Sequence, residues 1–162
     1  MKRFVFKKIF VKQTKSYKGT GLFAGEFIHQ RERVLHFEGR LGSDKDTNAE
    51  SMQIDEDLFL ESTIGIDDNI NHNCDPNCFV EWDSFDLVAL KDIKKGEEIT
   101  INYNTFEYDL INMVENCSFK CVCGSSSCLK EIKGFRYLTL KQKLKIKDLL
   151  SPFLKRKLNR EV

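Results

Sequence analysis

Along most of its length the chain sets short apolar stretches between polar, glycine-marked turns, and only near its end does the spacing change. Val5 to Lys12 is apolar and rich in β-formers, which predicts a strand. Lys18-Gly19-Thr20-Gly21 reads as a turn, with Leu22-Phe23-Ala24 as the strand that follows it. Val34 to Phe37 is a further short strand, ended by Gly39. Ser43 to Ser51 is polar and predicts a loop. Met52-Gln53-Ile54 and Phe59-Leu60-Glu61 predict a hairpin around Asp55-Glu56-Asp57. Leu87-Val88-Ala89-Leu90 and Glu98 to Tyr103 flank a Lys95-Gly96 turn and predict a second hairpin. Many short strands with few helices imply a compact, mostly β fold.

The end of the chain reads differently. Thr139-Leu140-Lys141-Gln142 predicts a capping box, with Thr139 as N-cap and Gln142 three residues on. Leu140, Leu144 and Leu149-Leu150 suggest the apolar side of that helix. Ser151-Pro152 predicts a second helix start, with serine capping and proline in the first turn. Phe153, Leu154 and Leu158 form its apolar side. The polar side collects Lys141, Lys143, Lys145, Lys147, Lys155, Arg156, Lys157 and Arg160. Such a face either contacts nucleic acid or is solvated while the helices pack on the domain.

Composition narrows the classes. The 162 residues suffice for one core-bearing domain with a small appendage. A net charge of +1 provides no global field toward nucleic acid or membrane. Lys7 and Lys8 interrupt the apolar N-terminal run, and no small-residue cleavage site follows, so a secretory signal is not expected. No stretch approaches the roughly 20 apolar residues of a membrane span. A soluble protein inside a cell is the expectation, with the compartment left open.

Six cysteines change that picture further. In a chain kept inside a cell they argue against a disulfide scaffold. Cys121-Val122-Cys123-Gly124-Ser125-Ser126-Ser127-Cys128 is compact enough to predict thiolates on Zn²⁺.

Three motifs then fall in order. Lys18-Gly19-Thr20-Gly21-Leu22 is a glycine turn that lets backbone approach a ligand. Asn71-His72-Asn73-Cys74-Asp75-Pro76-Asn77 follows, and then Gly96-Glu97-Glu98-Ile99-Thr100-Ile101-Asn102-Tyr103. With the downstream cysteines, this order resembles the SET-domain protein lysine methyltransferases that carry a zinc-binding post-SET segment. The resemblance spans about residues 10–135. It implies the β-rich SET pseudoknot for residues 1–110 and a zinc-bound lid for 111–135, while the basic helices of 136–162 lie outside the family pattern.

The resemblance also assigns roles. Tyr103 matches the family's catalytic tyrosine. The segment Lys18, Gly19, Thr20, Gly21 and Leu22, with Asn71, His72 and Tyr103, would meet S-adenosylmethionine, and Phe119 and Ile132 would cover it. Cys74, Cys121, Cys123 and Cys128 would hold the zinc, while a purely local set using Cys117 in place of Cys74 is the rival. Phe37 and Ile101 would line the lysine channel. A lysine-bearing protein, a histone tail among the candidates, would lie along a strand edge.

The chain also departs from the family pattern. Asn73 stands where the family has serine, and Phe37 where it has a channel tyrosine. Ile101 occupies a position usually aromatic, and Asp68-Asn69-Ile70 replaces the usual lead into the Asn-His pair. Two other readings therefore stay open. One is a SET-like module without catalysis that binds peptide or nucleic acid. The other is a small zinc-ribbon nucleic-acid binder.

Overall fold

A computed structural model describes residues 8–14, 19–43, 50–113 and 116–162. Its strands are, in chain order, β1 (Ile9–Gln13), β2 (Thr20–Ala24), β3 (Arg33–His36), β4 (Leu41–Gly42), β5 (Met52–Asp55) and β6 (Leu58–Leu60). They continue with β7 (Asn71–His72), β8 (Cys78–Glu81), β9 (Asp86–Ala89), β10 (Thr100–Ile101), β11 (Phe119–Lys120) and β12 (Glu131–Ile132). The helices are α1 (Leu140–Lys145) and α2 (Pro152–Leu158). The protein is mostly β, as its pattern predicts. Two compact units form, each from two stretches of chain: one from residues up to Phe37 with Ile64–Ile101, the other from Glu38–Thr63 with Asn102–Val162.

In the first unit, β1 and β2 pair antiparallel, with Ile9 opposite Ala24 and Gln13 opposite Thr20. A three-stranded antiparallel sheet runs β3-β9-β8. Alternation along β9 sends Leu87 and Ala89 into the core, where both are fully buried beside Leu22, Ile28 and Ile93. A short parallel pair, β7 with β10, sets Asn71 opposite Thr100 and His72 opposite Ile101.

The hairpin expected around Lys95-Gly96 does not form. Gly96 does sit in a turn, at φ +87°, and Glu97 N–H bonds Lys94 C=O at 3.0 Å. However, β9 spends its edges on β3 and β8, and the chain beyond the turn runs along β2 instead. Ile99 N–H donates to Leu22 C=O at 2.8 Å, and Ala24 N–H to Glu97 C=O at 2.9 Å. Ile93, fully buried, bridges Ile28 and draws this segment away from β9. A local turn signal therefore competes with burial of Ile93 and Ile99, and burial wins.

The second unit holds the sheet β4-β6-β5 and the pair β11-β12. The predicted hairpin at Asp55 forms, with strands reaching Asp55 and Leu58 so that only Glu56 and Asp57 lie between them. Residues 44–49 of the expected loop, like most of the apolar run before Lys8, lie outside the described residues. Both helix starts match expectation. Thr139 and Gln142 complete the capping box, and Ser151 Oγ accepts from Leu154 N–H with Pro152 in the first turn. Phe153, Leu154 and Leu158 pack with Phe135 and Leu150 into a small core.

The face of α1 is the reverse of the one expected. Leu140 and Leu144 are 44% and 42% exposed, while Lys143 is 5% exposed. Lys143 Nζ reaches both carboxylate oxygens of Glu161, at 2.8 and 2.6 Å, and lies 4.8 Å from the Phe135 ring centre. A charge-assisted pair over an aromatic ring offsets the burial of its stem.

Candidate active site and metal centre

Short amides build the glycine turn and the Asn-His motif into one bonded unit. Thr14 N–H and Thr14 Oγ1 both donate to Gly19 C=O, at 2.8 and 2.9 Å. Gly19 has φ +77°, a region costly for other residues, and a Cβ there would meet nothing within 4 Å. Gly21 is the opposite case. A Cβ there would lie 2.9 Å from Glu98 Oε1, 3.0 Å from Asn71 Nδ2 and 3.0 Å from Thr14 Cγ2. Asn71 Nδ2 fills that space by donating to Thr20 C=O at 2.9 Å and to Glu98 Oε1 at 2.8 Å. Leu22 is fully buried. Lys18 lies outside the described residues.

The β7–β10 pair is clamped from the side by Asn77. Its Nδ2 donates to Glu98 C=O at 2.8 Å, and its Oδ1 accepts from Thr100 N–H at 2.9 Å. Asn73 N–H continues the ladder to Ile101 C=O at 2.8 Å, and Asn73 Oδ1 closes a turn on Asp75 N–H at 2.9 Å. His72, Ile101 and Phe37 are all buried. His72 Nε2 lies 3.3 Å from Cys74 Sγ, so a thiolate there accepts from the ring N–H. The departure at Asp68-Asn69-Ile70 is self-supporting. Asp68 Oδ2 accepts from Gly65 N–H at 3.0 Å, Asn69 Oδ1 accepts from Thr20 Oγ1 at 2.7 Å, and Ile70 is buried.

Tyr103 begins a short 3-10 turn, Tyr103–Thr105, whose N-cap is Asn102. Asn102 Oδ1 accepts from Asn104 N–H and from Asn104 Nδ2, both at 3.1 Å, and Asn102 C=O accepts from Thr105 Oγ1 at 2.6 Å. The Tyr103 ring packs against Phe106 and Phe119, each at 5.9 Å between ring centres. Phe119 is the cross-strand partner of Ile132, which is fully buried. Phe119 thus packs on Tyr103, and Ile132 supports Phe119 from the neighbouring strand.

The sulfurs of Cys74, Cys121, Cys123 and Cys128 all lie within 4.8 Å of one another. Zinc–sulfur bonds of about 2.3 Å put the corners of a tetrahedron about 3.8 Å apart, so this cage fits a Zn²⁺ with small inward shifts. Gly124, at φ +76°, and Cys128 N–H donating to Ser125 C=O at 3.0 Å make the tight turn that returns the chain to the cage. Lys130 N–H points at Cys128 Sγ from 3.4 Å, the backbone donor that a metal thiolate commonly takes. Cys117 is not one of the four, so the rival local set is not the one assembled. Cys78 is not one of the four clustered sulfurs, and burial pushes its thiol up to about 12.

Sequence reasoning passed over several groups that organise this region. Asn77 and Glu98 were motif letters without a role, yet they fasten β10 and the glycine turn. Gln53 and Glu107 carried no signal at all, since glutamate and glutamine usually read as surface. Asp55 and Glu56, at the hairpin tip, take their partners from within the chain. Arg156 and Lys157 pair with these two carboxylates, each at 2.5 Å.

The chain is similar to several known proteins. The SET domain family profile matches residues 19–104. A histone-lysine N-methyltransferase of Candida albicans, described as specific for H3 lysine-36, is 27% identical over 150 residues, covering 80% of this chain and 17% of its own length. A SET and MYND domain-containing protein of Dictyostelium discoideum is 35% identical over 102 residues, covering 57% of this chain and 28% of its own. The chain spans less than a third of each relative. Among solved structures, KRYPTONITE in complex with mCHH DNA, an H3(1-15) peptide and SAH overlays with TM-score 0.63 at 23% identity, over 76% of this chain and 29% of that one. That similarity concerns fold. A Chaetomium PRC2 structure bound to S-adenosylmethionine overlays with TM-score 0.51 at 26% identity, over 60% of this chain and 15% of that one.

Proposed function

The chain belongs to the SET-domain family, and on that premise we propose that it is an S-adenosylmethionine-dependent methyltransferase acting on the side-chain amine of a lysine in a protein. The observation that carries this reading is the parallel pairing of Asn71-His72 with Thr100-Ile101, one residue short of the Asn102-Tyr103 turn. Two motifs separated in sequence are thereby joined at the positions the family uses.

When bound, S-adenosylmethionine supplies a methyl group activated by its sulfonium charge. The open flank of Gly19 leaves backbone accessible there, which fits a ligand lying along the glycine turn from Lys18 to Leu22. Asn71 has spent its amide hydrogens on Thr20 and Glu98, so it offers Oδ1, an acceptor suited to an ammonium group. By the family's assignment His72 would meet the cofactor from β7, and Tyr103, Phe119 and Ile132 are the further residues assigned to it. Phe37 and Ile101 supply apolar walls to the lysine channel. A lysine amine taken out of water loses its proton more readily, because burial disfavours the charged form. The Tyr103 hydroxyl then orients the neutral amine, and alignment does most of the work. Phe37 brings no second hydroxyl to this channel. Cys74, Cys121, Cys123 and Cys128 would hold a zinc ion, and that ion would order the segment that we assign as the post-SET lid, within the division 1–110, 111–135 and 136–162.

Relatives named for histone H3 lysine methylation make a histone tail the first substrate to try. Thiolate zinc ligands suit a reducing compartment inside a cell, which is the location we propose. Among the described residues no helix is long and apolar enough to cross a membrane. Exposed Lys141, Lys145, Lys147, Lys155 and Arg160 leave a nucleic-acid contact open to test by its salt dependence. The deciding assay is methyl transfer from labelled S-adenosylmethionine to histones and to a lysine-centred peptide library. Label on lysine that Tyr103→Phe abolishes supports the proposal. Cofactor binding with no transfer to any lysine would favour a binding module without catalysis.

A further inference from the structure

Two buried oxygen atoms near Tyr103 lack a hydrogen-bond donor: Asn104 Oδ1 and Glu107 Oε2. Asn104 is 1% exposed and Glu107 4%. Asn104 lies within the tight turn Tyr103–Thr105, and Glu107 follows two residues beyond it, tied back to that turn through its N–H on Tyr103 C=O at 2.9 Å. Both atoms are acceptors, and a buried acceptor without a donor is costly. One proton would satisfy the two together. We propose that Glu107 is protonated and donates from Oε2 to Asn104 Oδ1, which makes it a positioning residue for Tyr103.

The surrounding bonds show what that proton would complete. Glu107 N–H donates to Tyr103 C=O at 2.9 Å, and Glu107 Oε1 accepts from Gln53 N–H at 3.2 Å. Gln53 Oε1 in turn accepts from Tyr108 N–H at 2.9 Å, so β5 and the segment after Tyr103 interlock. On the other side, Asn104 Nδ2 donates to Asn102 Oδ1, the cap of the Tyr103 turn. Thr105 C=O accepts from Ser151 N–H at 2.8 Å, and Phe135 N–H donates to Glu107 C=O at 2.8 Å. The added hydrogen bond therefore closes a continuous path from Gln53 through Glu107 and Asn104 to Asn102, and Tyr103 sits inside it.

The charges on neighbouring elements are already engaged. Asp55 pairs with Arg156, Glu56 with Lys157, and Asp109 with Arg136 and the Tyr137 hydroxyl. Burial alone raises the Glu107 carboxyl to about 8, with the Gln53 amide opposing. Its ordinary value is 4.5, so the folded state holds the extra proton between these limits. Stability from this group is full below the lower limit, declines about tenfold in folding equilibrium per pH unit above it, and is lost past the upper one.

The link to catalysis rests on the proposed methyl transfer, whereas the proton can be read without it. Carbon-13 NMR of the side-chain carboxyls in the zinc-loaded protein should show Glu107 titrating near neutrality or above, with Tyr103 ring signals shifting at the same midpoint. In Asn104→Leu, of similar size and still dry, the Glu107 midpoint should fall, because the acceptor of the neutral form is gone. In Glu107→Gln the Tyr103 midpoint should vanish, and the decline of folding equilibrium with pH should flatten. The ratio of kcat in Glu107→Gln to that of the wild type should rise from pH 7 to 9 with KM for the cofactor unchanged. A purely structural role would lower both parameters at every pH. An ordinary Glu107 titration, an unchanged midpoint in Asn104→Leu, or a Tyr103 ring indifferent to Glu107 would overturn the proposal. Absent transfer with these NMR results intact would count against the methyltransferase reading alone.

Discussion

The clamp around β7 and β10 and the turn around Tyr103 solve one problem, the holding of a functional side chain, in opposite ways. In the clamp, each motif amide reaches a backbone group or a fixed carboxylate: Asn71 to Thr20 and Glu98, Asn73 to Asp75, Asn77 to Glu98 and Thr100. Around Tyr103 the supports are buried and come from afar. Gln53 arrives from β5, Phe135 from beyond β12, and Ser151 from the cap of α2. In the clamp each of these amides has its partner in place. The turn leaves two acceptors that require a proton, so its order depends on pH.

The largest effect should come from the metal. Chelation, or Cys128→Ser, should remove bound zinc in native mass spectrometry and lower the unfolding temperature steeply, since a structural zinc contributes on the order of 10 kcal/mol. Cys117→Ser should retain one zinc per chain. If Cys117→Ser lost the metal, the assigned ligand set would be wrong.

The next test sets the two regions directly against each other. Tyr103→Phe should cut turnover roughly 100-fold or more while cofactor affinity changes little. Gly21→Ala should do the reverse. Its methyl meets Glu98, Asn71 and Thr14 at 2.9–3.0 Å, so it should weaken cofactor binding and cost about 1–3 kcal/mol of stability in denaturant titration. Similar splits of kcat and binding in both variants would erase the distinction between a chemical and a binding region.

Asn77→Ala should cost about 1–3 kcal/mol by leaving Thr100 N–H and Glu98 C=O short of a partner. The effect should be independent of pH, in contrast to the Glu107 turn. On the reversed face of α1 the two variants should diverge. Lys143→Ala should destabilise by roughly 1–3 kcal/mol through loss of the Glu161 pair and of stem packing, whereas Leu144→Lys should stay within about 0.5 kcal/mol.

The same contrast explains what could be read from the chain alone. The clamp was legible because its residues are consecutive and chemically unusual, an Asn-His-Asn-Cys run followed by Pro-Asn. Cys121, Cys123 and Cys128 were legible by spacing, whereas Cys74 came only through resemblance. Both helix caps were readable because capping is a local bond. The failures are all nonlocal. Ile93 and Ile99 override a good hairpin turn at Gly96, because burial against β2 outweighs it. Lys143 displaces Leu144 from the buried face because Glu161 and Phe135 receive it. Glu107 shows no local sign of being buried, since its partner lies 54 residues away.

The most direct test of the central claim needs no knowledge of the substrate. Calorimetric titration of the zinc-loaded protein with S-adenosylmethionine should give saturable one-to-one binding, and His72→Ala should abolish it while the fold and zinc content remain. A folded, zinc-replete protein that binds no S-adenosylmethionine would contradict the account.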